Sequence, residues 1–142
     1  QLHGYISDIT RSYVFGEPTA QQRDIWNLEK AAQAAAFAAA RIGAAVVELH
    51  TGAYCDAHAE GRFEARDVEL GRLREMATLA HELGLEVHAG HGLTYETVAP
   101  IAALPEVMEL NIGHFLVGEA IFLGLGPAIT EMRDLMDRAR LV

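Results

Sequence analysis

The chain has 142 residues, of which 51% are hydrophobic, and its 11 basic and 20 acidic side chains give a net charge of −9. This length and apolar content suffice for one buried core, so we expect a single soluble domain over residues 1–142. The negative charge argues against nucleic acid as a partner, because no basic stripe is available to neutralise phosphates. Any phosphate site must therefore be built locally, from backbone N–H groups and histidines.

Cys55 is the single cysteine, which excludes a disulfide within the chain and favours a reducing compartment such as the cytoplasm. A nucleophilic thiol is the alternative interpretation, but no base adjoins Cys55 in the sequence. The longest apolar run, residues 34–40, is too short and too rich in alanine to span a membrane. We therefore expect no membrane partner.

The first forty residues are predicted to contain one strand and one helix. Residues 2–15 include a set of β-favouring side chains, which Gly16-Glu-Pro18 closes as a turn. From about Thr19 the sequence predicts a helix, which continues through an alanine-dominated run as far as Arg41.

The remainder of the chain alternates between short apolar segments and longer helical patterns. Strands are predicted at residues 45–50, 85–89 and 107–112. Helices are predicted at residues 64–83, just after Thr94, near 115–122, and from Pro127 to about 140, and residues 51–61 are predicted to be a loop. This alternation indicates parallel βαβ units.

Polar side chains and glycines occur at the end of each predicted strand. The three segments are Val46-Val-Glu-Leu-His-Thr-Gly52, His88-Ala-Gly-His-Gly-Leu-Thr-Tyr95 and Glu109-Leu-Asn-Ile-Gly-His114. The carboxyl ends of parallel strands meet at one side of the sheet, where α/β proteins bind ligands. We therefore expect one site formed by these three strand ends.

Glu48 interrupts an apolar strand with a charge, which indicates that its carboxylate faces a polar cavity or a partner; a strand end in water is the alternative. Strand alternation places His50 on the same side as Glu48, so His50 is expected to orient that carboxylate or to contact a ligand.

Glycines flank His91, so its ring can approach a small ligand, and histidine can transfer protons near neutral pH. His88 should point away from His91, and a structural role is expected for it. His114 follows Gly113 just before a short helix, where free N–H groups and the helix dipole favour phosphate.

Taken together, the three segments resemble the C-terminal part of pyridoxine 5'-phosphate synthase, a family of vitamin B6 biosynthesis, from about Ile42 onward. The resemblance implies a TIM-type barrel and a transferase that condenses 1-deoxy-D-xylulose 5-phosphate with 3-amino-2-oxopropyl phosphate. It implies no metal or organic cofactor. By position it also implies that His91 is the general acid and that Glu48 is the carboxylate that stabilises the transition state. The residues implied to hold the amino-ketone phosphate are Gly92, Gly113 and His114.

The resemblance covers only part of a barrel, which takes ~200 residues or more. Residues 1–30 do not resemble the family, and they contain no match for its early Asn-x-Asp-His segment, its second-strand His and Arg, or its third-strand glutamate. We expect an α/β fold, a partial TIM-type half-barrel with three or four parallel strands and flanking helices. It would be rearranged into an open sandwich or completed by a second copy. Residues 42–142 joined to a foreign segment 1–30 would form a fragment or chimera.

Several functional hypotheses follow from this resemblance. The first is a chain that retains the amino-ketone phosphate part of the site and is inactive alone. The second is an engineered or evolved half-barrel scaffold without catalysis, and the third is a homo-oligomer that rebuilds a larger assembly. A metal site made by Glu48, His91 and His114 is the rival chemistry.

Overall fold

The computed structural model describes Phe37, Ala40, Arg41 and residues 43–141. The predicted strand within residues 2–15 and most of the predicted helix 19–41 lie outside these residues, although Phe37, Ala40 and Arg41 are helical. The described elements, in chain order, are β1 (Val46–His50), α1 (Gly52–Ala59), α2 (Phe63–Glu82), β2 (Glu86–Gly90), α3 (Val98–Ala102), β3 (Val107–Asn111), α4 (His114–Leu123) and α5 (Leu125–Arg140).

The three described strands form one parallel sheet in the order β1-β2-β3. Val47 pairs with Val87, and Val87 pairs with Val107. The register between β2 and β3 then shifts, so that Met108 is an extra residue and Glu109 pairs with His88. A parallel open sheet with flanking helices confirms the predicted partial TIM-type α/β arrangement.

One face of the sheet carries the hydrophobic core. Val47 and Leu49 of β1 are fully buried there, as strand alternation predicts. They belong to a cluster that also contains Val87 and Ala89 of β2 and the apolar side of α2, contributed by Leu73, Met76, Ala77 and Ala80. Each fully buried aliphatic side chain of this kind contributes about 1.5–3 kcal/mol to stability.

The opposite face of the sheet, called the inner face below, is polar. Glu48, His88 and Glu109 are register partners across the three strands and share this face. The imidazole of His88 lies 2.7 Å from a carboxylate oxygen of Glu86 and 3.8 Å from one of Glu109. His88 therefore pairs with carboxylates within the sheet.

Most of the predicted elements are present with bounds shifted by one or two residues. Helix α2 ends next to Gly84, whose positive φ of 77° is typical of a helix C-terminus. Val68 has the helical spacing of the apolar side of this helix, but its side chain is 57% exposed. Four helical positions on that side, Leu73, Met76, Ala77 and Ala80, do become buried.

The prediction of a loop at residues 51–61 was wrong, because Gly52–Ala59 form α1. The helix begins with glycine, a residue that is typical of turns. The burial of Tyr54, Cys55 and Ala57 against the rest of the domain nevertheless stabilises a helix.

Two helix starts also differ from prediction. Helix α3 is capped at Thr97 instead of Thr94, and the Oγ1 of Thr97 accepts a hydrogen bond from the N–H of Thr94 at 2.9 Å. Helix α5 begins at Leu125, two residues before Pro127. The first turns of α3 and α5 each contain a proline. Proline is tolerated there because the N–H groups of a first turn have no partner within the helix.

Helix α4 exposes an unusual amount of apolar surface. None of its ten residues is buried, and Val117, Ile121, Phe122 and Leu123 are each at least 51% exposed. No helix within the described residues combines the length and apolar composition needed to cross a membrane.

Candidate functional site

The carboxyl ends of the three strands open into one cleft with a volume of about 1060 Å³. Every residue predicted for the site lies along it: Glu48 at β1, His91 and Gly92 after β2, and Gly113 and His114 after β3. The parallel sheet brings these residues together although they are spread over more than sixty positions of sequence. Their chemical roles remain predictions.

Glu48 is held by a residue of the far strand. Its Oε2 accepts a hydrogen bond of 2.6 Å from the Nδ2 of Asn111, which ends β3. Gly90 lies between them on β2, and a Cβ there would be 3.1 Å from the Oε1 of Glu48. The carboxylate therefore faces the polar cleft with one oxygen bound, as the charge within an apolar strand indicated.

His91 has an unusual backbone conformation. Its φ is +83°, the one positive φ among the described non-glycine residues, and Gly92 follows with a φ of +81°. For a residue with a Cβ this conformation costs about 1–2 kcal/mol. Such strain persists only where neighbouring contacts maintain it, and it is concentrated at functional sites.

Thr51 supplies the contacts that maintain this turn. Its side chain is fully buried, and its hydroxyl lies 2.6 Å from the carbonyl oxygens of both Gly90 and His91, which share the hydroxyl proton. The N–H of Thr51 also donates to the Gly90 carbonyl at 2.7 Å. One residue after β1 thus fixes the chain after β2.

We expect Thr51→Val to lower the free energy of unfolding by about 1–3 kcal/mol, because the carbonyl of His91 loses its buried donor while the side-chain volume is kept. Urea unfolding measures this change. Thr51→Ser retains the hydroxyl and should cost less. A larger loss for Thr51→Ser than for Thr51→Val would show that the methyl group of Thr51, not its hydroxyl, holds the turn.

His50 packs against the same turn. Its ring centroid lies 4.3 Å from that of His91 at an interplanar angle of 30°, and its Nδ1 accepts from the N–H of Gly52 at 3.3 Å. A Cβ on Gly52 would approach the His50 ring to 2.5 Å, so a larger residue there would displace the ring. His50 therefore borders the cleft and stacks on His91, a contact that the sequence did not indicate.

Cys55 lies beneath the turn. Its side chain is buried, and its sulfur is 3.8 Å from the carbonyl oxygen of His91 and 3.8 Å from the Oγ1 of Thr97. Burial raises the pKa of the Cys55 thiol, while hydrogen bonds with Thr97 and Thr51 lower it by a smaller amount. A raised pKa disfavours the thiolate, so this environment supports packing over nucleophilic catalysis.

The far side of the cleft is the start of α4. Gly113 occupies the N-cap position, His114 is the first helical residue, and both are exposed. The first turn carries no acidic residue, and its leading N–H groups lack partners within the helix. This end of the cleft can attract an anion through N–H groups and the helix dipole.

Several residues that border the cleft were not predicted from the sequence, among them Asn111, Ala53 and Asp56. Asn111 lies within a quoted motif, two residues before Gly113, but only the register of β3 reveals its contact with Glu48. Ala53 and Asp56 border the cleft from α1, which was taken for a loop. Within the described part of the chain, no group of three or more His, Cys, Asp or Glu side chains is arranged to hold a metal ion.

One known protein family matches most of the chain. The family model described as "Pyridoxal phosphate biosynthesis protein PdxJ" matches residues 21–138. The chain belongs to this family. The match begins at Gln21, before the position near Ile42 from which the sequence motifs were followed, and it confirms the resemblance on which the site residues were predicted.

Curated relatives match this chain closely. Pyridoxine 5'-phosphate synthase of Roseobacter denitrificans is 79% identical over 103 residues, or 72% of this chain and 41% of the relative. The synthase of Ruegeria pomeroyi is 78% identical over 72% of the chain and 42% of the relative, and that of Caulobacter vibrioides is 64% identical over 70% and 39%. The chain thus spans about two-fifths of the length of these relatives.

Proposed function

We propose that this chain carries the amino-ketone phosphate part of a pyridoxine 5'-phosphate synthase site, and that it does not complete the condensation alone. The observation that carries this proposal is the shared cleft, along which five residues from three strand ends lie together. The ligand would be 3-amino-2-oxopropyl phosphate, and the second substrate of the complete reaction would be 1-deoxy-D-xylulose 5-phosphate.

The phosphate would bind at Gly113 and His114. Free N–H groups of the first turn of α4 would donate to its oxygens, and the imidazole of His114 would add a further donor. The net charge of −9 disfavours an anionic ligand over most of the chain. The first turn of α4 carries no acidic residue, so it adds no local repulsion.

The reacting end of the ligand would lie between His91 and Glu48. His91 would act as the general acid that donates a proton to a departing oxygen, a task for which an imidazole exposed in the cleft is suited. Glu48 would stabilise positive charge that develops in the transition state, with Asn111 holding one of its oxygens.

Catalysis by this chain alone is expected to be absent, because the three described strands would carry only the amino-ketone phosphate part of the site. Cooperating catalytic groups lose most of their effect when several of them are removed. An assay of the isolated chain with both substrates should therefore give no pyridoxine 5'-phosphate. Measurable turnover would contradict this part of the proposal.

The binding part is tested by an NMR titration of the labelled chain, first with inorganic phosphate and then with 3-amino-2-oxopropyl phosphate. We expect saturable shifts at the amides of Gly92, Gly113 and His114. His114→Ala should weaken binding about tenfold or more, because a hydrogen bond to a charged group contributes about 1.5–3 kcal/mol. His81→Ala, at an exposed histidine of α2, should leave binding unchanged.

No shifts at about 10 mM ligand, which corresponds to a binding free energy weaker than about −3 kcal/mol, would contradict the proposal. That result would instead favour a half-barrel scaffold that retains the fold without the ligand site. Equal losses from His114→Ala and His81→Ala would mean that binding is not local to the start of α4. Light scattering on the same samples would report self-association.

A further inference from the structure

The contact between Glu48 and Asn111 spans the full width of the described sheet. The two residues are 63 positions apart in sequence and lie on the outer strands β1 and β3, yet their side chains meet at 2.6 Å. Neighbouring strands are about 4.8 Å apart, so the side chains must bridge roughly twice that distance above β2. Only a strand without a side chain at the crossing point allows this bridge.

Gly90 provides that crossing point. It pairs in register with Asn111 on one side and His50 on the other. A Cβ at residue 90 would be 2.7 Å from the Asn111 carbonyl oxygen, 2.9 Å from the Asn111 Cβ and 3.1 Å from the Oε1 of Glu48. Glycine at this position therefore leaves the space in which the bridge forms.

The bridge determines the direction in which Glu48 presents its carboxylate. A carboxylate has two oxygens that can each accept hydrogen bonds, and the amide of Asn111 occupies Oε2. The Oε1 oxygen lies above Gly90, and Glu48 borders the cleft. Without the amide, the flexible glutamate side chain would sample several rotamers and lose this orientation.

We propose that Asn111 is a positioning residue, which holds the Glu48 carboxylate with one oxygen directed to the ligand across Gly90. This inference rests on the proposed function for the identity of the ligand, whose amino group is the cationic partner for the free oxygen. Asn111 acts through Glu48 and does not need to contact the ligand.

The orientation itself is tested without any ligand. The side-chain amide protons of Asn111 and the carboxyl carbon of Glu48 are followed by NMR during a pH titration of the unliganded chain. Protonation of the carboxylate weakens the bond, so we expect both signals to change with one shared midpoint. Glu48→Ala should remove the pH response from Asn111. An Asn111 amide that does not respond to the titration of Glu48 would overturn the proposal.

The consequence for binding is tested with two ligands, inorganic phosphate and 3-amino-2-oxopropyl phosphate. Asn111→Ala should weaken the amino-ketone phosphate about three- to tenfold and leave inorganic phosphate unchanged, as expected for loss of one modest interaction. Asn111→Leu has nearly the same size but no donor for Glu48, so it should weaken the amino-ketone phosphate to a similar extent. A role in folding alone would lower both affinities together.

A double variant separates the possible outcomes. Asn111→Ala combined with Glu48→Ala should bind no more weakly than Glu48→Ala alone, because positioning has no effect once the carboxylate is absent. Additive losses would overturn the proposal. Should the unsubstituted chain bind neither ligand, the proposed function fails, and the ligand-free titration still decides whether Asn111 holds Glu48.

Discussion

Replacing Leu49 by alanine is expected to lower the free energy of unfolding by about 2–5 kcal/mol, as core leucines do when the cavity that they leave cannot collapse. Leu49 is 0% exposed and belongs to the cluster between the sheet and α2. Domains of this size have only about 5–15 kcal/mol of total stability. We therefore expect the variant to unfold at a much lower urea concentration, which circular dichroism would detect.

Leu141→Ala is the matched control, since it removes the same atoms from a side chain that is 86% exposed. Its effect should stay within about 0.5 kcal/mol, the range of ordinary surface substitutions. Comparable effects of the two changes would mean that the buried face of β1 does not form the core. The comparison tests whether the apolar face of the sheet, opposite the inner face, is the one buried in the core. The geometry of the cleft depends on this assignment.

Replacing Gly92 by alanine is expected to reduce both stability and ligand binding. Its φ of +81° costs an alanine about 1–2 kcal/mol, and the new Cβ would lie 3.2 Å from the Cβ of Cys55. Relief of this contact requires the turn to move, and His91 moves with it. Because Gly92 and His91 are both proposed to contact the ligand, and small displacements of such groups are costly, affinity for 3-amino-2-oxopropyl phosphate should fall about tenfold to a hundredfold.

Gly84→Ala is the control for backbone strain. Gly84 has a similar φ of +77°, but a Cβ there would meet nothing within 4 Å. It should lose a comparable 1–2 kcal/mol of stability, on the order expected for that conformation, and retain ligand affinity. Loss of affinity in both variants would attribute the effect of Gly92→Ala to general destabilisation and not to the His91 turn.

Much of the fold could be predicted from local sequence. The apolar segments and the helical spacing of α2 indicated strands and helices because they reflect burial on one face. Helix α1 could not be predicted in this way, since its first residue is a glycine and its stability depends on the burial of Tyr54 and Cys55. The start of α3 after Thr97 likewise follows a turn in which the Oγ1 of Thr97 accepts from the N–H of Thr94, a contact that the sequence did not indicate.

The sequence by itself determined that polar and glycine-rich segments follow three parallel strands, and its motifs identified five candidate residues at those strand ends. Only the tertiary structure decided how these residues are held: Thr51 bonds to the His91 turn, His50 stacks on the His91 ring, and Asn111 reaches Glu48 across Gly90. Periodicity reports which face of its own element a residue occupies. Contacts between residues forty to sixty positions apart depend on strand register and side-chain packing, which arise only when the sheet assembles.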